Sequence, residues 1–287
     1  MVGAAGILMA LPVVLERRSR KPDVIVWPFV GFALGRTVCA ATRLDLLSLC
    51  HVLTAWTGVV SVIYASRRPG QARHALRWMA FPLGIVALIQ TLPAMQNTLI
   101  NRNTLGMAII PVLAAWLDDR LDWRLIVPVL ALSLTVSRGA IIASALMVAW
   151  YYAVMRVAVP LTVAAVPVLM AVRNPSSVKI HANYWLAGIR GFLSSPLIGL
   201  GPARLGSVEL VGHAHNILLT VASWSGITGL GLLGWGFWRG RQGWSMLPRW
   251  ARAGVIGLAL AGMVDDWSLH PLIMALTGAL ASSLSSN

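Results

Sequence analysis

Long apolar runs separated by short polar segments alternate along almost the whole chain. A membrane-spanning helix needs about 20 predominantly apolar residues, and several of the runs are shorter than that. The pattern nevertheless predicts an all-α polytopic transmembrane helical bundle of about eleven spans, or twelve with one missing or short. We expect residues 1–287 to form a single transmembrane domain. The runs fall at about 3–15, 24–41, 46–65, 77–95, 104–117, 124–137, 139–155, 157–172, 214–238, 252–265 and 269–285.

Composition agrees with a membrane protein. The mean hydropathy is +0.75, and only 11% of the residues are charged, whereas soluble domains carry about 25%. The net charge of +14 would suggest nucleic acid as the partner of a soluble protein. Here, however, the basic residues lie in short segments between apolar runs, where positive charge sets the orientation of the spans. We therefore expect the lipid bilayer, and no nucleic acid, as a partner.

The basic residues concentrate in alternate polar segments. Fifteen of the 23 lysines and arginines fall in 16–23, 66–77, 118–124 and 239–252 or at Arg156. The positive-inside rule assigns that side to the cytoplasm. The positive-inside rule does not account for cations on the opposite side, so we expect them to be paired or to bind a ligand. For Arg36 and Arg138 the alternative is snorkelling to the outer headgroups. The eight residues on this side are Arg36, Arg43, Arg102, Arg138, Arg173, Lys179, Arg190 and Arg204.

The longest external segment runs from Arg173 to His213. Within it, Trp185, Ile189 and Phe192 recur at helical spacing, which predicts a short amphipathic helix over 184–193 at the membrane surface. The helix should end at Ser194-Ser195-Pro196, because proline cannot continue it.

Candidate functional residues lie where this segment meets the next apolar run; they are His213, His215 and Asn216. A histidine in such a place is accessible to water and can act as a general base near neutral pH. The alternative is a pair of solvated interface histidines. No third ligand with suitable spacing accompanies them, so no metal site is expected.

Four ordered elements carry a resemblance to a known family. His215-Asn216, nine residues, Gly226, two residues and Gly229 reproduce an H-[NSQ]-x9-G-x-x-G signature. Upstream stand Asn101–Gly106 (NRNTLG), Val136–Ala140 (VSRGA) and Pro196–Pro202 (PLIGLGP). Over about residues 95–238 the chain resembles the O-antigen ligase and O-antigen polymerase superfamily of polytopic membrane glycosyltransferases.

The resemblance implies a multi-pass protein of the bacterial inner (cytoplasmic) membrane with its active site on the periplasmic side. Such enzymes move a glycan from an undecaprenyl-diphosphate carrier to an acceptor hydroxyl. The acceptor is a lipid A core sugar, a polysaccharide repeat unit or a protein side chain. The resemblance implies no cofactor and no metal, and it makes residues 173–215 the periplasmic catalytic loop.

By the same resemblance, His215 is the base that deprotonates the acceptor, and Arg138 binds the donor diphosphate. Fixed arginines also suit this chemistry on physical grounds, because they stabilise the charge that develops on the leaving phosphates. Arg190 joins these two as a candidate catalytic residue. Candidate substrate-binding residues are Arg36, Arg204, His181, Lys179, His213 and Asn216.

The sequence departs from the family pattern at one position. The family often has an arginine four residues before the tryptophan corresponding to Trp185, and this chain has His181 there. The role of that arginine would pass to Lys179, Arg190 or His181 itself. Asp265, Asp266 and His270, in the last external turn, could orient His215 or pair with an arginine, or simply cap the following helix.

Two other function classes stay open. In a transporter or flippase for a lipid-linked glycan, Arg36 and Arg138 would line a translocation path. An inactive family member would instead serve as an assembly partner.

Overall fold

The computed structural model describes residues 26–41, 46–66, 69–92, 101–117, 123–152, 175–201, 214–263 and 270–281. This part of the chain is helical and contains no strand, so the predicted all-α class is confirmed there. A 3-10 turn, Trp123–Leu125, precedes the sixth helix. The helices are α1 Val26–Ala41, α2 Leu46–Ser66, α3 Pro69–Trp78, α4 Ala80–Ile89, α5 Arg102–Trp116, α6 Ile126–Thr135, α7 Arg138–Tyr151, α8 Pro175–Ser194, α9 Ile217–Met246, α10 Arg249–Gly262 and α11 Pro271–Ala281.

Most of the predicted apolar runs correspond to helices, and the clearest differences are in the basic segments. Segment 66–77 lies between two of the predicted runs, yet α3 forms there with Ala72 and Leu76 buried one turn apart. Segment 239–252 is largely helical too, because α9 continues to Met246. Positive charge therefore marks these segments without preventing helix formation. The runs 3–15 and 157–172 lie outside the described residues.

Among the described helices, α9 alone is long and apolar enough to cross a membrane by length and composition. Cys50–Ile63, Trp123–Thr135 and Arg138–Tyr151 are shorter apolar helical stretches. Length and composition thus support one candidate span. The bundle of about eleven spans stays a prediction.

Helix α5 lies at the centre of the larger hydrophobic core. Every residue from Thr104 to Trp116 is buried, as expected for a helix that is apolar on all sides. It packs against α3, α4, α6, α7, α10 and α11. A smaller core joins α1, α2 and α9 through Phe32, Val59 and Val221.

Helices α1 and α9 are antiparallel and pack through glycines. Gly35 lies beside Gly229, and Gly31 lies beside Gly236. A Cβ atom at Gly35 would lie 3.3 Å from the Cα of Gly229. The absence of side chains lets the two backbones come this close.

Two of the basic segments assigned to the cytoplasm, 66–77 and 239–252, meet at one end of the described helices. Arg73 and Arg77 donate hydrogen bonds of 3.1 and 2.8 Å to the carbonyl of Ala115, near the last turn of α5. Arg73 also lies over the ring of Trp250, in the first turn of α10. Contacts at the opposite end join the start of α5 to the starts of α7 and α11. The assignment of the two ends to the two sides of a membrane stays a prediction.

Candidate functional site

The predicted amphipathic helix forms and is longer than expected, and its place at a membrane surface stays a prediction. Helix α8 runs from Pro175 to Ser194, so its end before Pro196 is confirmed. Trp185 and Ile189 are exposed. The opposite face packs on α9, where a Cβ at Gly188 would lie 2.7 Å from the Cβ of Ala214. Two of the three apolar residues that defined the pattern therefore point away from the bundle, whereas Phe192 is half-buried.

His215 is held by two aromatic rings of α8. Its imidazole stacks on Tyr184, with 4.4 Å between centroids and 20° between planes. His181, one turn earlier, lies edge-on at 5.2 Å. His215 itself has a left-handed backbone with φ 49°. The half-buried imidazole thus has a defined orientation.

Asn216 fixes the start of α9. Its Oδ1 accepts hydrogen bonds from the backbone N–H groups of Leu218 and Leu219 at 3.0 and 3.1 Å. Its Nδ2 donates to the carbonyl of Met263 at 2.9 Å. Asparagine is a preferred N-cap because its side chain satisfies these otherwise unpaired donors. The amide therefore anchors the residue next to His215, and its predicted contact with substrate stays a prediction.

Helix α9 is interrupted at Gly226, where φ is 62° and ψ is −159°. This conformation is essentially restricted to glycine. Segment 196–201 supplies the backbone groups that the interruption leaves without helical partners. Its hydrogen bonds are Leu200 N–H to Ser223 C=O at 2.7 Å, Gly201 N–H to Trp224 C=O at 3.1 Å, Ile227 N–H to Pro196 C=O at 2.7 Å and Thr228 N–H to Leu197 C=O at 3.1 Å.

The four elements of the resemblance thus form two packed pairs. The Pro196–Gly201 part of one element hydrogen-bonds to the segment around Gly226, as described above. In the other pair, a Cβ at Gly106 would lie 2.7 Å from the Cβ of Ser137. Each pair joins segments that are far apart in the chain.

Left-handed backbone conformations cluster in these elements. Within the described residues, every positive φ belongs to Val136, Gly199, Gly201, His215 or Gly226. A positive φ is strained for a β-branched residue such as Val136, where it is 53°. Such strain concentrates at functional sites.

Arg138 is the first residue of α7 and is exposed. Its guanidinium makes no hydrogen bond or ion pair with the described part of the chain. It lies at the same end of the bundle as the first turn of α5, whose Gly106 packs against Ser137. In the described part of the chain, no hydrogen bond or ring contact joins Arg138 to His215.

Arg36 is buried, with 4% of its surface exposed. Its guanidinium carbon lies 4.4 Å from the ring centroid of Trp224 and 4.9 Å from that of Phe32. His51 contacts the same indole, with 4.7 Å between centroids. Arg36 therefore packs against α9 beside its interruption, and the snorkelling alternative is wrong for this residue.

Neither a family model nor a curated protein matches the chain. The family resemblance therefore rests on the four sequence elements alone. The described residues contain no group of three or more histidine, cysteine, aspartate or glutamate side chains that could hold a metal ion.

The remaining residues that the sequence suggested for the site lie apart from these contacts or outside the described residues. Lys179 and Arg190 are exposed on α8. Arg204, His213, Asp265 and Asp266 lie outside the described residues, as do Arg43 and Arg173. His270 contacts α5, with its Nε2 atom 3.0 Å from Thr104 Oγ1.

Three contacts of the site were missed from the sequence. Tyr184 stacks on His215, and both Arg36 and His51 contact the ring of Trp224. His51 gave a signal, since it is a titratable residue inside the apolar run 46–65. Tyr184 and Trp224 gave none, because aromatic residues are common in apolar helices.

Proposed function

We propose that the protein is a multi-pass membrane glycosyltransferase that transfers a glycan from an undecaprenyl-diphosphate carrier to an acceptor hydroxyl. The main observation in support of this proposal is the environment of the His215 imidazole. The imidazole stacks on Tyr184 at the start of an interrupted helix. A base whose ring is oriented before the substrate binds is what acceptor activation requires.

In this reaction His215 takes the proton from the acceptor hydroxyl. The acceptor oxygen attacks the anomeric carbon of the donor sugar and forms the new glycosidic bond. The bond between that carbon and the diphosphate oxygen breaks, and undecaprenyl diphosphate leaves with the bonding electrons. Arg138, exposed at the start of α7, is suited to bind the leaving diphosphate, because guanidinium groups pair with phosphate oxygens in bidentate geometry.

Exposed apolar side chains support the membrane setting. Phe81, Ile85, Leu88 and Leu92 recur at helical spacing along α4 and its C-terminal turn, and all four are exposed. A soluble monomer rarely exposes a contiguous apolar stripe. Contact with lipid tails would cover this surface in a bilayer, at the multi-pass location that the family resemblance implies.

The test is reconstitution with defined substrates. Purified protein in detergent is given an undecaprenyl-diphosphate-linked glycan with a lipid A core, repeat-unit or peptide acceptor, and the glycosylated product is measured. We expect transfer to one acceptor class without added metal. Arg138→Ala should raise the donor KM at least about tenfold. Arg124→Ala, which removes an exposed arginine beside Trp123, is the matched control.

Two outcomes would contradict the proposal. Glycan movement across liposomes without transfer to any acceptor would indicate the transporter class. The absence of both transfer and translocation would indicate an assembly partner.

A further inference from the structure

The last third of α9 carries an exposed surface that is both aromatic and basic. Trp235, Phe237 and Trp238 are among the exposed large apolar residues, and Arg239 and Arg241, which follow them, are exposed as well. The proposed transfer reaction uses none of these side chains. Tryptophan together with arginine is typical of the boundary between hydrocarbon and headgroups, because one end of each side chain is apolar and the other is polar.

The position of this surface along α9 matches the edge of a bilayer. Helix α9 has 30 residues and rises about 45 Å at 1.5 Å per residue, well beyond a hydrocarbon thickness of about 30 Å. Its stretch from Ile217 to Trp238 is uncharged and rises about 33 Å. Arg239 is the first charged residue of the helix. A bilayer with one hydrocarbon edge at Asn216 therefore has its other headgroup layer at Arg239.

Arg239 lies over an aromatic ring of the neighbouring helix. Its guanidinium carbon is 5.1 Å from the ring centroid of Trp27, in the first turn of α1. Trp235, one turn before Arg239, meets the same ring edge-on with 5.2 Å between centroids. Gly236 packs on the backbone of Trp27 and so lets the two helices approach here. The tryptophan pair therefore supports one side of the exposed guanidinium.

Arg241 forms a second pair of the same kind on α9 itself. Its guanidinium carbon lies 4.7 Å from the ring centroid of Trp238, and its Nη1 donates a hydrogen bond of 2.8 Å to the carbonyl of that residue. This bond uses one of the five N–H donors of a guanidinium. A guanidinium that lies over a ring directs its N–H groups sideways, in a fork that matches two phosphate oxygens. Each of the two pairs therefore suits one phosphate group.

The described residues contain no carboxylate that neutralises these arginines. All nine aspartates and glutamates of the chain lie outside the described ranges. Segment 16–23, which precedes α1 in the sequence, contains Glu16 and Asp23 but four basic residues. The sequence on either side of this surface is therefore net positive, as an anionic membrane surface requires.

The same pairing of arginine with an aromatic ring recurs in the two basic segments that meet at one end of the described helices. Arg77 lies over Trp116 and Arg249 lies over Tyr151, each with 5.2 Å between the guanidinium carbon and the ring centroid. Stacked arginines thus occur on several helices at this end. A leaflet that contains anionic headgroups would contact all of them at a similar depth.

We propose that Arg239 and Arg241, supported by the rings of Trp27 and Trp238, bind the phosphates of anionic phospholipids such as phosphatidylglycerol. This binding holds the end of α9 among the headgroups and so fixes the depth of the helix, whose other end carries the candidate site. The proposal rests on the membrane location in the proposed function and goes beyond it, because it requires no glycan transfer.

Lipid binding to the purified full chain in detergent, measured by native mass spectrometry, tests the proposal. Phosphatidylglycerol is compared with phosphatidylethanolamine of identical acyl chains, whose ammonium group balances its own phosphate. We expect the wild type to bind phosphatidylglycerol at least about fivefold more tightly. The double variant Arg239→Gln/Arg241→Gln should bind it at least about tenfold more weakly than the wild type. Arg102→Gln/Arg190→Gln, which removes two arginines of other helices, should stay within about twofold.

Replacement by lysine separates a specific site from general attraction by positive charge. Lysine keeps the charge but does not provide the planar fork that binds phosphate in bidentate geometry. Arg239→Lys/Arg241→Lys should therefore bind phosphatidylglycerol at least about threefold more weakly than the wild type. Unchanged binding by this variant would overturn the proposal, and so would equal binding of the two lipids by the wild type. Displacement of the lipid by an equal concentration of free glycerol phosphate would indicate a site for soluble phosphate esters instead.

A second measurement uses the wild-type protein and so does not depend on variant folding. The protein is reconstituted in phosphatidylethanolamine vesicles that contain a phosphatidylglycerol with a photoreactive headgroup. Labelling should include residues 235–242 of α9 and the first turn of α1. Labelling confined to the opposite ends of the helices, such as the start of α5, would overturn the proposal.

The outcomes separate headgroup binding from the enzymatic activity. Selective binding of phosphatidylglycerol that the glutamine variant loses, in a protein that transfers no glycan, would support the lipid site and contradict the transferase. Glycan transfer by a wild-type protein that binds the two lipids equally would do the reverse.

Discussion

The imidazole of His215 stacks on the phenol ring of Tyr184, with 4.4 Å between the ring centroids. The two residues come from different segments, the first residues before α9 and the middle of α8. His215 also has a left-handed backbone conformation. The backbone therefore constrains the start of the side chain, and the stack constrains the ring. The position of α8 therefore controls the orientation of the candidate base.

The stack predicts a specific role for Tyr184. Tyr184→Ala should lower glycan transfer about two- to tenfold, because an aromatic pair contributes about 0.5–1.5 kcal/mol beyond its buried area. Tyr184→Phe keeps the ring and should retain nearly full activity. Turnover numbers for the two variants check this, and equal losses in both would show that the hydroxyl matters and the stack does not.

Gly226 should tolerate no side chain. In Gly226→Ala the new Cβ would lie 2.6 Å from the carbonyl oxygen of Pro196, in a backbone conformation that L-residues rarely adopt. We expect a loss of at least about 2 kcal/mol of stability. Thermal unfolding in detergent measures it.

Gly234 in the same helix provides the matched control for this prediction. Apart from its chain neighbours and the nearby backbone of α9 itself, nothing lies within 4 Å of where a Cβ at Gly234 would be. Gly234→Ala should change stability by less than about 1 kcal/mol, in the stabilising direction, because alanine is the better helix former. Equal effects of the two substitutions would mean that the interruption at Gly226 does not form.

Arg36 should not be replaceable by lysine. Its planar guanidinium lies against the rings of Trp224 and Phe32 in a buried site. Lysine keeps the charge but not the planar stacking. Arg36→Lys should therefore lower stability by about 1–2 kcal/mol, the range of a desolvated cation–π contact. The melting temperature is the readout, and an unchanged value would show that the charge alone stabilises this site.

Much of the helical layout could be predicted from the sequence, because hydrophobic runs directly record which segments are buried. The runs at 24–41, 46–65 and 104–117 correspond closely to α1, α2 and α5. Helix α3 was missed because it carries Gln71, Arg73, His74 and Arg77, and because only Ala72 and Leu76 among its described side chains are buried. In that segment the amphipathic spacing was a better guide than the charge.

The candidate site was only partly predictable. The glycine spacing singled out Gly226, and the structure places a backbone conformation there that requires glycine. The hydrogen bonds between segment 196–201 and residues 223–228 join backbone groups, which leave no trace in side-chain patterns. The stack of Tyr184 on His215 depends on how α8 docks, a tertiary relationship that local sequence does not encode.

Substitution of His215 tests the central claim most directly. Glycan transfer from an undecaprenyl-diphosphate donor is measured for the wild type, for His215→Ala and for His74→Ala. His74 is an exposed histidine that bonds to Trp78 on α3 and serves as the matched control. We predict that His215→Ala lowers turnover about 100-fold or more while His74→Ala leaves it unchanged. Transfer by His215→Ala at the wild-type rate would contradict the assignment of His215 as the base.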